Sequence, residues 1–148
     1  MTHRLLIAIC LAMGAVSASA KTLLLLPVQG EVEKTSDLAA VNKLFREAVQ
    51  NVYPGSVRAP LDSAHQCGDS ECAAKLASAA RADEAVFATL RRLGGKWIFS
   101  STIVQADGSG TFNQRGTALN LEDLEAVTRR VGEAVVARKS LEEAATID

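Results

Sequence analysis

Two glycine-bearing turns, placed a strand's length apart, constrain this chain more tightly than any other feature of it. Gly94-Gly95 and Asp107-Gly108-Ser109-Gly110 punctuate three runs, Glu84–Leu93, Trp97–Asp107 and Thr111–Ala118. Turns this short join antiparallel neighbours, so residues 84–118 predict a three-strand meander. The centre of the first run, Ala85-Val86-Phe87-Ala88, is apolar at consecutive positions. That strand is therefore expected to be covered on both faces.

Helix and strand signals alternate on either side of the meander. Thr22–Val28 (TLLLLPV) is a continuous apolar run closed by Pro27 and Gly30, and predicts a buried central strand. A helix is expected over Asp37–Val52, capped by Ser36 and stopped by Pro54-Gly55. Its stripe is Leu38, Val41, Phe45, Ala48, Val49 and Val52. A short strand follows at Ser56–Ala59. A second helix runs from Ser70 to Ala82, with Cys72, Leu76 and Ala79 or Ala80 inward. Asn120 caps the last helix, with Asp123 as capping-box partner and Leu119 and Leu124 spaced for a hydrophobic staple. Leu124, Val127, Val131, Ala134 and Val135 form its buried stripe. The order β-α-β-α-β-β-β-α describes an α/β sandwich, one mixed sheet with helices packed on it. One domain is expected over residues 21–138, with 139–148 a flexible polar tail.

Residues 1–20 read as an address label. Met1–Arg4 is positively charged, Leu5–Val16 is apolar throughout, and Ser17-Ala18-Ser19-Ala20 offers the small residues a signal peptidase reads. The pattern predicts a signal peptide cleaved before Lys21. As a helix the apolar run rises about 18 Å, short of a hydrocarbon core of about 30 Å. Ile9 is too large to precede a lipidated cysteine at Cys10. Without this segment 128 residues remain, with 15 Lys and Arg against 17 Asp and Glu, and 20 of its 57 hydrophobic residues are alanine. The resulting charge of -2 argues against a nucleic-acid partner. An aromatic share of 4% leaves little for base stacking. No other segment is a transmembrane candidate.

Cys67 and Cys72 are the cysteines that remain. An even pair in an exported chain points to a disulfide that pins a loop to the first turn of the second helix. Two other chemistries compete for the same atoms. Redox pairs favour C-x-x-C over the C-x4-C spacing found here. A zinc site could draw on His65, Cys67, Cys72 and Asp69, but no second ligand cluster supports it. Any Ser-His-Asp site would need His65 with Asp62 and Ser63, close loop neighbours that seldom form a triad. There is no G-x-S-x-G elbow. Gly94-Gly95-Lys96 lies between strands, where a phosphate loop would open a helix. These residues single out no catalytic, cofactor or metal site, and a non-enzymatic protein is expected. A metal-binding or small hydrolytic protein centred on His65, Cys67 and Cys72 is the alternative.

Arg91, Arg92 and Lys96 flank the first turn, and Arg115 lies on the next strand. They serve either to keep a soluble hairpin from pairing at its edge or to dock an acidic partner or headgroup. The stretch Ala82–Gly108, with its Ala-Asp start, Leu93-Gly94-Gly95 hairpin and Asp107-Gly108 turn, resembles a bacterial envelope module. That module is the α/β domain at the amino end of TolB. Similar domains occur in CsgG-like secretion proteins and in lipoprotein activators of penicillin-binding proteins. The Cys-x-Asp-x-x-Cys helix start often found there is matched by Cys67, Asp69 and Cys72. The likeness covers residues 22–137, without the TolB propeller and without a lipid-anchoring signal. It implies a periplasmic scaffolding or docking domain with no active site, bound to an envelope protein partner through a sheet edge or hairpin. A structural subunit of an envelope secretion complex is a further alternative.

Overall fold

A computed structural model describes residues 21–30, 35–60 and 67–141. The expected export segment 1–20, His65, and the tail beyond Leu141 lie outside the described residues. The elements are β1 (Thr22–Leu25), β2 (Gln29–Gly30), α1 (Thr35–Val52), β3 (Ser56–Arg58), α2 (Ser70–Ala79), β4 (Glu84–Leu93), β5 (Lys96–Gln105), β6 (Phe112–Ala118) and α3 (Leu121–Ala137). The sheet order is β3-β1-β4-β5-β6, with β2 beside β4. β1 pairs in parallel with β3 and β4, while β4, β5 and β6 form the antiparallel meander. This is the expected mixed α/β architecture, an open sheet with helices packed on it.

The two parallel crossovers move across the sheet in opposite directions, from β1 out to β3 through α1 and from β3 back past β1 to β4 through α2, so right-handed connections put α1 and α2 on opposite faces. Helix α3 joins α1. On their side, Leu23, Val86, Leu90, Phe99 and Ile103 of the sheet meet Val41, Phe45, Val49, Val131 and Val135. Phe45 packs edge-on against Phe99 at 5.5 Å between ring centres. Gly132 lets the two helices approach, since a Cβ there would lie 3.2 Å from both Phe45 and Ala48. On the other side, Leu24, Leu26, Ala85, Phe87 and Val104 meet Ala73, Ala74 and Ala77 of α2. The small alanine face lets α2 lie close to the sheet.

Local chemistry revises three boundaries. The strand expected over Thr22–Val28 ends at Leu25 and pairing resumes only in β2 at Gln29, because Pro27 between them has no N–H to give a ladder. At the break, Leu26 N–H donates to the Val86 carbonyl at 3.0 Å, and Val28 N–H donates to Asn42 Oδ1 of α1 at 3.2 Å. Helix α1 starts at Thr35, which puts Ser36 inside the helix instead of at its cap. Helix α2 stops at Ala79, three residues before the expected Ala82. Arg81 takes the left-handed conformation (φ 55), its N–H bonding Ser78 O and the next N–H, of Ala82, bonding Ala77 O. That is a Schellman ending without the usual glycine. The inward residues of α2 are Ala73, Ala74 and Ala77, with Leu76, Cys72 and Ala80 half-buried and Ala79 exposed.

Beyond α3, Lys139 N–H bonds Ala134 O, and Leu141 packs against the core with its N–H on Gln114 Oε1. At the same end, Glu84 is buried between two partners. Tyr53 Oη donates to its Oε2 at 3.1 Å and Arg138 to its Oε1 at 2.7 Å.

Candidate functional site

The expected disulfide is present. Cys67 and Cys72 are bonded, and Asp69 caps α2 by accepting the Cys72 N–H at 2.8 Å. Both sulfurs are thereby committed to each other, so in this state neither is a thiolate ligand for zinc. Among the described residues no cluster of three or more His, Cys, Asp or Glu could hold a metal ion. No described helix is long and apolar enough to cross a membrane.

The chemistry-bearing surface lies instead around the β4–β5 hairpin. Gly94 turns the chain with φ 61, a conformation that favours glycine. Strand alternation then sorts the four cations singled out by sequence. Arg92 pairs with Trp97, and both side chains lie on the α1/α3 side of the sheet. The Arg92 guanidinium sits 5.0 Å from the Trp97 ring centre, a cation–π contact. Arg91, Lys96 and Arg115 point to the opposite face, where Arg91 and Arg115 line one depression.

On the Trp97 side, β6 ends opposite Trp97 at Ala118, and the chain turns into α3 through Leu119 and Asn120. Asn120 Oδ1 accepts the Asp123 N–H at 2.8 Å, as a cap should. The expected staple is not made, because Leu119 is 66% exposed while Leu124 is buried. Leu121 is 54% exposed beside it, and Leu93 is 70% exposed at the hairpin tip. The only other large exposed hydrophobic among the described residues is Val52, at the far end of α1. A groove of about 690 Å³ runs between Trp97, Leu119 and Leu121, rimmed by Arg92, Asp37 and Glu122.

On the opposite face, α2 covers only the half of the sheet around Ala85, Phe87 and Val104. The boundary is the row Phe87–Thr102–Asn113. There the Asn113 carboxamide donates to Thr102 Oγ1 (2.7 Å), Ser101 O (3.0 Å) and Ser100 Oγ (3.1 Å). Beyond it lie Thr89, Arg91, Ile98, Ser100 and Arg115 around a shallow depression of about 320 Å³.

Sequence reading found the cations but missed the leucines and Trp97. Leu93 directly before the turn and Leu119 and Leu121 on either side of the cap were the available signal. Apolar residues beside a cap also fit a staple, and only the three-dimensional packing distinguishes the two.

No family model matches this sequence, and no curated protein matches it. Solved structures do share the fold. A dodecamer of a PelC point variant from Paraburkholderia phytofirmans superposes with a TM-score of 0.56 at 10% identity, over 82% of this chain and 91% of that one. The LpoB C-terminal domain from Escherichia coli does so at 0.53 and 13% identity, over 72% and 88%. TolB from Acinetobacter baumannii gives 0.52 and 11% identity, over 86% of this chain but 28% of TolB. At these identities the likeness is one of fold.

Proposed function

We propose that this chain is an exported, non-catalytic docking module of the bacterial periplasm. It binds an envelope protein through the hairpin end of its sheet. The observation that carries this reading is the gathering of Leu93, Leu119 and Leu121 at the end that also holds Trp97, Arg91, Arg92 and Lys96. Burying an exposed leucine fully is worth about 1.5–3 kcal/mol, and Trp and Arg are the residues that most often dominate binding energy. The signal-peptide pattern of residues 1–20 and the disulfide support an oxidising, exported setting. The shared fold of TolB and LpoB supports an envelope role.

Crosslinking and capture from native envelopes test this reading. A defined partner is expected with the wild-type chain, and its loss with Leu119→Ser/Leu121→Ser. Capture that the double variant leaves unchanged would overturn it.

A second reading, a subunit of a larger envelope assembly, is favoured by the outer edge of β6, which among the described residues pairs only with β5. The PelC structure is a dodecamer, so this fold is compatible with self-assembly. Light scattering of the mature chain distinguishes a monomer from a closed ring.

A further inference from the structure

Among the described residues, the half-sheet that α2 does not cover combines three cations with no carboxylate. Arg91, Lys96 and Arg115 share this face by strand alternation, and the strand residues between them are Thr89, Ile98, Ser100 and Thr117. Among the described residues, none of the three cations has a carboxylate within 4.0 Å. Three cations elsewhere do have such a partner: Lys75 meets Glu71, Arg129 meets Glu125 and Arg138 meets Glu84. None of the described strand residues on this face is an acid, in a mature chain whose overall charge is -2.

We infer that this face binds an acidic polypeptide segment, two of whose carboxylates pair with Arg91 and Arg115. The inference rests on the reading of the chain as a docking module and adds the chemistry of what it docks. Arg91 lies opposite Ile98, and Arg115 lies opposite Ser100. The two arginines are thus two strands and two residues apart, about 12 Å between Cα atoms at ordinary strand spacings. An extended peptide places carboxylates four residues apart at about 13 Å, within reach of both guanidinium forks. Ile98 and the hydroxyls of Thr89 and Ser100 fill the space between with the mixed character of a peptide-binding surface. Geometry also sets aside a single phosphate, since the donors are spread across a flat face and no helix N-terminus converges on it. A long polyanion is disfavoured by the net negative charge of the mature chain, whereas a short segment feels the local patch within a Debye length of about 8 Å.

The test uses the mature chain and a labelled ten-residue probe, (Glu-Thr)5, followed by fluorescence anisotropy. Binding is expected to weaken with salt and to fall about tenfold or more in Arg91→Gln/Arg115→Gln. Lys75→Gln, on α2, should bind as wild type, and unchanged circular dichroism shows that the variants are folded. (Gln-Thr)5 should not bind. No binding of (Glu-Thr)5, equal binding of (Gln-Thr)5, or undiminished binding by the double variant would overturn the inference. So would tighter binding of polyphosphate or of phosphatidylglycerol vesicles. Envelope capture reads the Leu119/Leu121 groove separately, so failure of one proposal is distinguishable from failure of the other.

Discussion

Two arginines occupy the same backbone position for different reasons. Arg81 and Arg138 each take the left-handed conformation just past a helix, at φ 55 and φ 52. A residue with a Cβ pays roughly 1–2 kcal/mol there relative to glycine's freedom. Arg81 is exposed, and its own carbonyl serves as an acceptor for Arg58. Arg138 instead supplies the charged partner of buried Glu84. Arg81→Gly is therefore expected to stabilise by about 1 kcal/mol. Arg138→Gly is expected to destabilise by about 1–3 kcal/mol, because relief at the backbone is outweighed by a carboxylate left buried without its cation. Urea midpoints of the two variants should move in opposite directions, and movement in the same direction would refute this account. Thr128 offers a simpler case. Its hydroxyl is fully buried on α3 and has no hydrogen-bond partner among the described residues. Thr128→Val keeps the shape and removes the unsatisfied group, so a gain of about 1 kcal/mol is expected in the same measurement.

At the scale of elements, the disulfide is the main constraint on α2. The helix presents only alanines as fully buried residues, and small side chains bury little apolar area. Closing a short ring in the unfolded chain is worth about 2 kcal/mol in the chain-entropy view. Cys72→Ser should lower stability by about 2–3 kcal/mol in oxidising buffer. An unchanged midpoint would show that the capped helix holds without its staple. The meander, the three helices and this cysteine pair were legible in sequence because each has a local signal: glycine turns, an apolar stripe, or an even pair of cysteines behind a signal-peptide-like pattern. The end of α2 was not, because Arg81 stands where the stop signal would be a glycine. The break between β1 and β2 was marked by Pro27, but only the Asn42 side chain reveals where the Val28 N–H goes. The candidate surface was half legible. Its cations stand out by number around a turn, but strand register decides that Arg92 parts from Arg91, Lys96 and Arg115.

Three distant segments of the molecule meet at one buried carboxylate, and this makes the whole fold sensitive to alkali. Tyr53 follows α1, Glu84 opens β4 and Arg138 closes α3. The Tyr53 phenol must keep its proton to donate to Glu84. Burial first, and then the Glu84 carboxylate, push the phenol well above its ordinary value of 10.0. The folded chain thus retains a proton that the unfolded chain loses, so stability falls as pH rises. The contribution is complete below about pH 10 and is lost progressively above it, by up to about 1.4 kcal/mol per pH unit. Tyr53 is the only tyrosine in the chain, so phenolate absorbance reports it without interference. The phenolate signal is expected to rise together with the loss of circular dichroism, as one transition. A phenolate that titrated near pH 10 with the fold intact would refute the link. Tyr53→Phe separates the two contributions. It should lose about 1 kcal/mol at neutral pH through the missing hydrogen bond, yet its stability should no longer carry this alkaline slope.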